Sequence, residues 1–237
     1  MGSVQFHTSA AILAQTRSIP CQTLHANPRR PQLSKRNTRE RSISASAEAP
    51  SSTNSCNETV VLGKSDVQVS SIGVGAWSWG DRSGYWGWEK GYDKSDCEEA
   101  FKSCLASDLT FIDTAEVYGF GLSEELLGAF LENAASQVAD DQLPAPVIAT
   151  KFAPIPWRFT KGSVVAALRS SLDRMQVPKV DLYMQHWPGF PVVNSWAEER
   201  FLEGLAECYK LGLTRAVGVS NFNEERLRRA HAFLSER

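Results

Sequence analysis

Long hydrophobic runs are missing from this sequence, and their absence limits what kind of protein it can be. No apolar segment approaches the about 18 to 20 residues of a membrane-spanning helix, so no such helix is predicted. The formal net charge of -2 is no argument for or against nucleic-acid binding, and we expect no nucleic-acid partner. The 237 residues are 42% hydrophobic and 22% charged, which predicts one domain with a substantial core, plus a tail.

Cysteines are few and show no regular spacing. A disulfide framework or a metal site would need a pattern such as a CxxC pair, and none is present. Buried free thiols in a reducing compartment are therefore favoured over a disulfide or a metal site. The five cysteines are Cys21, Cys56, Cys97, Cys104 and Cys208.

Acidic residues are nearly absent from residues 1–47. This segment has seven Lys and Arg residues but one acid, Glu40, so the remainder carries 18 basic and 26 acidic residues. Together with many Ser and Thr residues and a small-residue end, Arg41–Ala47, this composition is typical of an organellar transit peptide. It favours the chloroplast (plastid) over the mitochondrion, with a plain disordered tail as the alternative. Residues 48–58 are predicted to be a polar linker, followed by a domain over 59–237.

The domain is predicted to begin with a β-hairpin and an aromatic loop. Two short apolar runs between Thr59 and Ser70 flank a Gly-Lys-Ser-Asp turn, which predicts the hairpin. A strand over 72–77 follows. The loop over 78–94 is rich in glycine and aromatic residues, which suits an apolar substrate pocket, although packing against the domain would explain it equally well.

From residue 95 onward, helical and strand patterns alternate. Helices are predicted from a capping box of Ser95 and Glu98, from near Ser123, over 162–175, over about 195–211 and after the cap Asn223. Strands are predicted over 109–114, 147–152, 180–185 and 216–219. These strands are almost wholly apolar, as expected for a parallel sheet covered by helices in an α/β fold.

A (β/α) barrel fits this alternation better than a dinucleotide-binding sheet. The latter needs a glycine-rich fingerprint after its first strand, and here Gly73 and Gly75 lead into an aromatic segment instead. A complete (β/α)8 TIM barrel takes about 250 residues. Residues 59–237 therefore predict an incomplete barrel, made of the hairpin and about five βα units.

Polar residues follow the predicted strands where a barrel would bring them together. Asp113, Lys151, His186 and the pair Ser220-Asn221 each lie at a strand's carboxyl end. Each alone has a structural explanation, such as a turn cap, a solvated charge or a structural histidine. Tyr118 follows Asp113 by five residues. Because a phenol in water has a pKa near 10, acid–base work at neutral pH needs a cation or dipole beside it, which Lys151 can supply.

Four segments in order resemble the aldo-keto reductases. They are Asp113–Gly119, Ala149–Lys151, Asp181–Trp187 and Gly218–Phe222, and the likeness runs from about Val60 to the last residue. The transit-like leader makes the chain similar to a plant plastid member of that family.

The resemblance implies an enzyme that reduces a small-molecule aldehyde or ketone with hydride from NADPH. Tyr118 would be the general acid. Lys151, held by Asp113, would favour the ionised phenol, and His186 would orient the carbonyl by a hydrogen bond.

By the same resemblance, Ser220 and Asn221 would bind the nicotinamide carboxamide of the cofactor. Trp79 and Trp187 lie where aromatic residues of the substrate pocket are expected, and no metal is implied.

Other cofactor contacts of the family come from later strands. They are a glutamine, an aromatic residue and basic residues for the adenosine phosphate, and the sequence shows no counterparts. We therefore expect a fragment or truncated form that binds NADPH poorly. The alternative is a non-catalytic regulatory or binding protein on the same scaffold. The sequence indicates neither the physiological substrate nor the oligomeric state.

Overall fold

The computed structural model of the protein describes residues 59–140 and 142–237. The predicted transit peptide and linker, over 1–58, lie outside the described residues, as do Cys21 and Cys56.

A β-hairpin begins the described chain, as predicted. Strand β1 (Thr59–Val61) pairs antiparallel with β2 (Gln68–Ser70). The Ser70 hydroxyl accepts a hydrogen bond from the amide of Phe111 at 3.2 Å, which fixes the hairpin near the amino ends of the sheet strands. Its apolar residues pack against the inner side of the sheet in a small cluster of Leu62, Val67, Val69, Ala149, Leu182, Met184 and Ala216.

The main sheet has five parallel strands, and each pairs with the next in chain order. The predicted bounds of 147–152 and 180–185 are confirmed, whereas the strand predicted over 109–114 is shorter. The strands are β3 (Gly73–Gly75), β4 (Phe111–Asp113), β5 (Val147–Phe152), β6 (Val180–Gln185) and β7 (Thr214–Val219).

One helix follows each strand of this sheet, so the described domain consists of the hairpin and five βα units. The helix predicted over 195–211 is divided, because a short 3₁₀ turn at Ser195–Ala197 precedes its α-helical part. The helices are α1 (Lys94–Ala106), α2 (Leu122–Ala139), α3 (Lys161–Met175), α4 (Glu198–Lys210) and α5 (Glu224–Ser235).

The predicted capping box of α1 is wrong by two residues. Asp93 is the cap, and its carboxylate accepts from the amide of Ser95 at 2.7 Å. The Asp96 carboxylate accepts in return from the Asp93 amide at 2.8 Å. Glu98 instead pairs with Lys102 one turn later, at 2.8 Å. The sequence contains two possible capping boxes two residues apart, Asp93 with Asp96 and Ser95 with Glu98, and the structure uses the first.

The predicted cap at Asn223 is confirmed, and the described cysteines are free thiols as predicted, although Cys104 is only partly buried. Asn223 caps α5, because its side-chain oxygen accepts from the Arg226 amide at 2.9 Å. Within the described part, Cys97, Cys104 and Cys208 are free thiols, and the first and last are buried. Burial raises the pKa of the Cys97 thiol to about 11 and that of Cys208 to about 12.

Residues 59–140 and 142–237 contain no helix long and apolar enough to cross a membrane. They also contain no group of three or more His, Cys, Asp or Glu side chains placed to hold a metal ion.

Candidate active site

Four of the predicted residues meet at the carboxyl ends of β4, β5 and β6, and Lys151 is at their centre. Its ammonium nitrogen lies 2.7 Å from Oδ1 and 2.8 Å from Oδ2 of Asp113. It also donates to the carbonyl oxygen of Thr114 at 2.9 Å and to the phenol oxygen of Tyr118 at 3.2 Å. Lys151 is 4% exposed, and these acceptors use all three of its N–H groups. The cation is therefore fixed beside the phenol.

Tyr118 lies in a 3₁₀ turn rather than on the strand. The turn spans Tyr118–Gly121, and Gly119 within it has a φ of 57°. A Cβ at Gly119 would lie 2.2 Å from the carbonyl oxygen of Gly80, so only glycine allows this approach. Gly119 thus holds the tyrosine turn against the loop that follows β3.

His186, directly after β6, faces the same phenol. Its Nε2 lies 3.5 Å from the Tyr118 oxygen, and the two rings meet edge to face with centroids 5.4 Å apart. Burial first, and the charge of Lys151 second, lower the pKa of His186 to about 3. The imidazole is therefore neutral at physiological pH, with one N–H to donate.

Asp113 and Lys151 form a coupled pair in which desolvation opposes attraction. Burial raises the pKa of the Asp113 carboxyl, and the Lys151 ammonium partly offsets that rise. The ammonium donates a hydrogen bond to Oδ2 and lies 2.7 Å from Oδ1, and this charge-assisted contact keeps the pair together.

Ser220 and Asn221 follow β7 and are tied to the histidine segment. The Asn221 amide nitrogen donates to the carbonyl oxygen of His186 at 2.8 Å and to the Ser220 hydroxyl at 3.2 Å. Among the described residues, the Asn221 side-chain oxygen has no hydrogen-bond partner. A hydroxyl donor beside an amide acceptor is a set that fits a ligand carboxamide.

The structure treats the two predicted tryptophans differently. Trp187 is half-buried, and its ring centroid lies 4.5 Å from that of His186. Trp79 is 5% exposed and packs edge-on against Phe101 and Phe130 in the core, with centroids 6.4 and 5.6 Å away. It is therefore not part of the cluster around Tyr118.

Trp77 is the aromatic residue that sequence reasoning missed. It is 55% exposed, and its ring centroid lies 6.3 Å from that of Tyr118. Strand alternation would place Trp77 and Trp79 on one side, but β3 ends at Gly75 and the chain then turns. Tyr85 stacks on Trp77 at 6.3 Å, and Trp86 meets it edge-on at 5.5 Å. We name Trp77, Tyr85 and Trp86 the aromatic wall.

A buried carboxylate shapes the loop that carries this wall. Asp81 is 7% exposed and accepts from the amides of Ser83 and Trp86, each at 2.9 Å. The Ser83 side chain first, and the Trp86 amide second, lower the pKa of Asp81. The Tyr92 hydroxyl closes the loop by donating to the carbonyl oxygen of Ser78 at 2.5 Å.

Comparison with known proteins finds relatives that are named as reductases. The chain is 38% identical over 178 residues to "Pyridoxal reductase, chloroplastic" of Arabidopsis thaliana, covering 72% of this chain and 47% of that protein. It is 33% identical over 177 residues to "Aldo-keto reductase YhdN" of Bacillus subtilis, covering 72% and 49%. The chain thus spans about half the length of the curated relatives it matches.

Solved structures show the same fold. A thermostable aldo-keto reductase, Tm1743, in complex with the inhibitor epalrestat matches with a TM-score of 0.58 and 28% identity, over 74% of this chain and 58% of that one. An aldo/keto reductase from Klebsiella pneumoniae, in complex with NADP and acetate, matches with a TM-score of 0.53 and 26% identity, over 69% and 50%. The predicted α/β fold, an incomplete barrel of the (β/α)8 family, is confirmed.

The family itself is shown by a sequence profile that covers most of the domain. The profile described as "Aldo/keto reductase family" matches residues 71–235, which include every residue of the cluster around Lys151. The chain belongs to the aldo/keto reductase family.

Proposed function

We propose that this protein reduces an aldehyde or ketone to an alcohol with hydride from NADPH, and that Tyr118 is the general acid. The observation that carries the proposal is the position of Lys151, whose buried ammonium contacts both Asp113 and the Tyr118 phenol. His186 lies 3.5 Å from the same phenol oxygen. A substrate carbonyl oxygen near Tyr118 and His186 would meet two hydrogen-bond donors.

The neutral state of His186 supports Tyr118 as the proton donor. A histidine whose pKa is lowered to about 3 holds no imidazolium proton to give at neutral pH. His186 therefore orients the carbonyl oxygen through a neutral N–H, as the carbonyl gains negative charge. Tyr118 gives its phenol proton to that oxygen, and Lys151 stabilises the phenolate that remains. Solvent then returns a proton to the phenolate.

NADPH, when bound, supplies the hydride to the carbonyl carbon. Ser220 and Asn221 would hold its carboxamide through the hydroxyl donor and the amide oxygen acceptor. Two Klebsiella pneumoniae aldo-keto reductase structures of the same fold are described in complex with NADP and with NADPH, which supports this choice of cofactor.

The aromatic wall favours a planar aromatic aldehyde as substrate, with pyridoxal as the first to test. Trp77, Tyr85 and Trp86 are 55%, 77% and 43% exposed, so their rings are open to stack on a flat ligand beside Tyr118. The Arabidopsis relative named as a pyridoxal reductase supports the same class. Its name also includes the word chloroplastic, which agrees with a plastid location directed by residues 1–47.

Substitution of Tyr118 by Phe tests the proposal, because it removes only the phenol hydroxyl. We expect NADPH-dependent reduction of pyridoxal to fall at least about 100-fold, since general acid catalysis contributes that much or more. NADPH binding, which we expect to be weak in this chain, should be the same in the variant when followed by quenching of tryptophan fluorescence.

Tyr183→Phe is the matched control. Its hydroxyl donates to the carbonyl oxygen of Val164 on α3, away from the cluster, so turnover should persist. Full activity in Tyr118→Phe would contradict the role of Tyr118. NADPH binding without any reduction by the unaltered chain would contradict the reaction itself and leave a binding protein.

A further inference from the structure

A second set of polar contacts joins the loops after β4, β5 and β6, outside the residues that face the substrate. Its centre is Glu116, two residues before Tyr118, whose side chain is 9% exposed. The carboxylate accepts from the two terminal guanidinium nitrogens of Arg158, at 2.5 and 3.0 Å, and from the amide of Ala153 at 2.6 Å. The loop after β4 is thereby fixed to the loop after β5.

Arg158 holds its own loop as well as Glu116. One of its guanidinium nitrogens also donates to the carbonyl oxygen of Ala153 at 2.9 Å. The guanidinium carbon lies 5.1 Å from the ring centroid of Phe152, the residue next to Lys151. A planar, two-point pair of this kind fixes direction as well as distance, which a lysine could not do.

Asn194 extends the connection to the loop after β6. It is fully buried, and its amide nitrogen donates to the carbonyl oxygens of Pro154 and Ile155, both at 2.9 Å. Its side-chain oxygen accepts from the Phe190 amide at 2.7 Å. The loop that follows His186 is thus tied to the loop that follows Lys151.

We propose that Glu116, Arg158 and Asn194 form a loop clamp that positions the reacting groups, with Glu116 as the positioning residue for Tyr118. Tyr118 lies in a 3₁₀ turn, so no strand pairing sets its distance to Lys151. The clamp fixes the chain two residues before the phenol against the loop directly after β5. Without it, the 3.2 Å contact from Lys151 to the phenol and the 3.5 Å approach of His186 are no longer held.

The test is Glu116→Gln in the full chain, which keeps the side-chain shape but removes the charge that pairs with Arg158. Its effect on catalysis rests on the proposed reductase function. We expect kcat for pyridoxal to fall between about 10-fold and 100-fold, because a small misplacement of a reacting group has that cost. KM for pyridoxal and for NADPH should stay unchanged, because Glu116 touches neither ligand.

A second measurement does not depend on activity. With fluorotyrosine incorporated, the ¹⁹F resonance of Tyr118, assigned by its loss in Tyr118→Phe, should shift or broaden in Glu116→Gln. The matched control is Glu198→Gln, which breaks an ion pair with Arg226 between the first turns of α4 and α5 and removes no contact of Glu116, Arg158 or Asn194. Neither kcat nor the Tyr118 resonance should change there. Glu116→Asp, which keeps the charge, should retain more of kcat than Glu116→Gln. It replaces Glu116→Gln in both measurements if that variant does not fold.

The outcomes separate this proposal from the proposed reaction. A Tyr118 resonance that is the same in Glu116→Gln and the unaltered chain overturns the loop clamp, as does an unchanged kcat in an active enzyme. A chain without reductase activity, in which Glu116→Gln alone moves the Tyr118 resonance, contradicts the reaction and supports the clamp.

Discussion

Lys151 and His186 show how burial sets the chemistry of single residues in this domain. Both are nearly inaccessible, at 4% and 8% exposure. The Lys151 ammonium pairs with Asp113, and removal of that buried partner would destabilise the fold by about 3–5 kcal/mol. His186 has no anionic partner among the described residues, and burial therefore keeps it neutral. One residue is thus a fixed charge and the other a neutral donor.

The neutral state of His186 has a consequence for stability that can be measured. Its pKa is lowered to about 3 in the folded chain, against an ordinary value of 6.5 when unfolded. Between these values the unfolded chain binds the extra proton, so acidification favours unfolding. From pH 7.5 to 5.5 this one group is expected to reduce the free energy of unfolding by about 1.4 kcal/mol.

The measurement is urea unfolding at both pH values for the unaltered chain and for His186→Gln. The variant should lose about 1.4 kcal/mol less on acidification, because glutamine does not titrate. Tyr183→Phe is the control and should leave the loss as it is, because burial raises the pKa of the Tyr183 phenol well above its ordinary value. An equal loss in the unaltered chain and His186→Gln would show that the buried imidazole takes up a proton in this range.

Close approach of neighbouring helices depends on two glycines. A Cβ at Gly128 of α2 would lie 2.7 Å from the carbonyl oxygen of Met175 at the end of α3. A Cβ at Gly204 of α4 would lie 2.5 Å from the Cβ of Val164 on α3. Any larger residue at Gly128 or Gly204 would push α2 or α4 away from α3. These close contacts hold α3 against β5, the strand that carries Lys151.

Two helical glycines should respond to alanine in opposite directions. Gly128→Ala is expected to destabilise the domain by about 1–3 kcal/mol, because the contact is with backbone that cannot turn aside. Gly162→Ala, in the first turn of α3, meets nothing closer than 3.7 Å. It should stabilise by up to about 1 kcal/mol through better helix propensity.

Thermal and urea unfolding of both variants provide the comparison. Equal effects of the two substitutions would show that helix propensity, and not the α2–α3 contact, decides the outcome at Gly128.

In the described domain, packing of the hairpin and the candidate active site lie at opposite ends of the main sheet. The hairpin packs on the inner side near the strands' amino ends, through Leu62, Val67 and Val69. The reacting groups lie at the opposite end, where Asp113 ends β4, Lys151 lies in the last two residues of β5 and His186 follows β6. A further division runs along the chain, because residues 1–47 are basic while the remainder is acidic.

That charge division underlies a prediction about location. We expect residues 1–47, fused to a fluorescent reporter in leaf protoplasts, to bring the reporter into plastids. Replacing the six basic residues of this segment after Arg17 by Gln should leave most of the reporter in the cytosol; they are Arg29, Arg30, Lys35, Arg36, Arg39 and Arg41.

Residues 48–237 fused to the same reporter are the control and should remain outside plastids. Mitochondrial accumulation with the 1–47 leader, or plastid import without it, would contradict the predicted transit peptide.

Local patterns in the sequence were enough to determine the order of the elements and the residues at the strand ends. Apolar runs of strand length predict β5 over 147–152 and β6 over 180–185, and the structure brings Asp113, Lys151 and His186 together at the carboxyl ends of the strands. These features follow from periodicity within a few residues, which is why the sequence alone contains them.

Contacts between distant loops were decided only by the tertiary structure. The turn after β3 brings Trp77, and not Trp79, to the tyrosine. Glu116 meets Arg158 across 42 positions, and no periodic pattern marks either residue. Such pairs depend on how neighbouring strands place their loops, which is a property of the packed sheet and cannot be found in any local stretch of sequence.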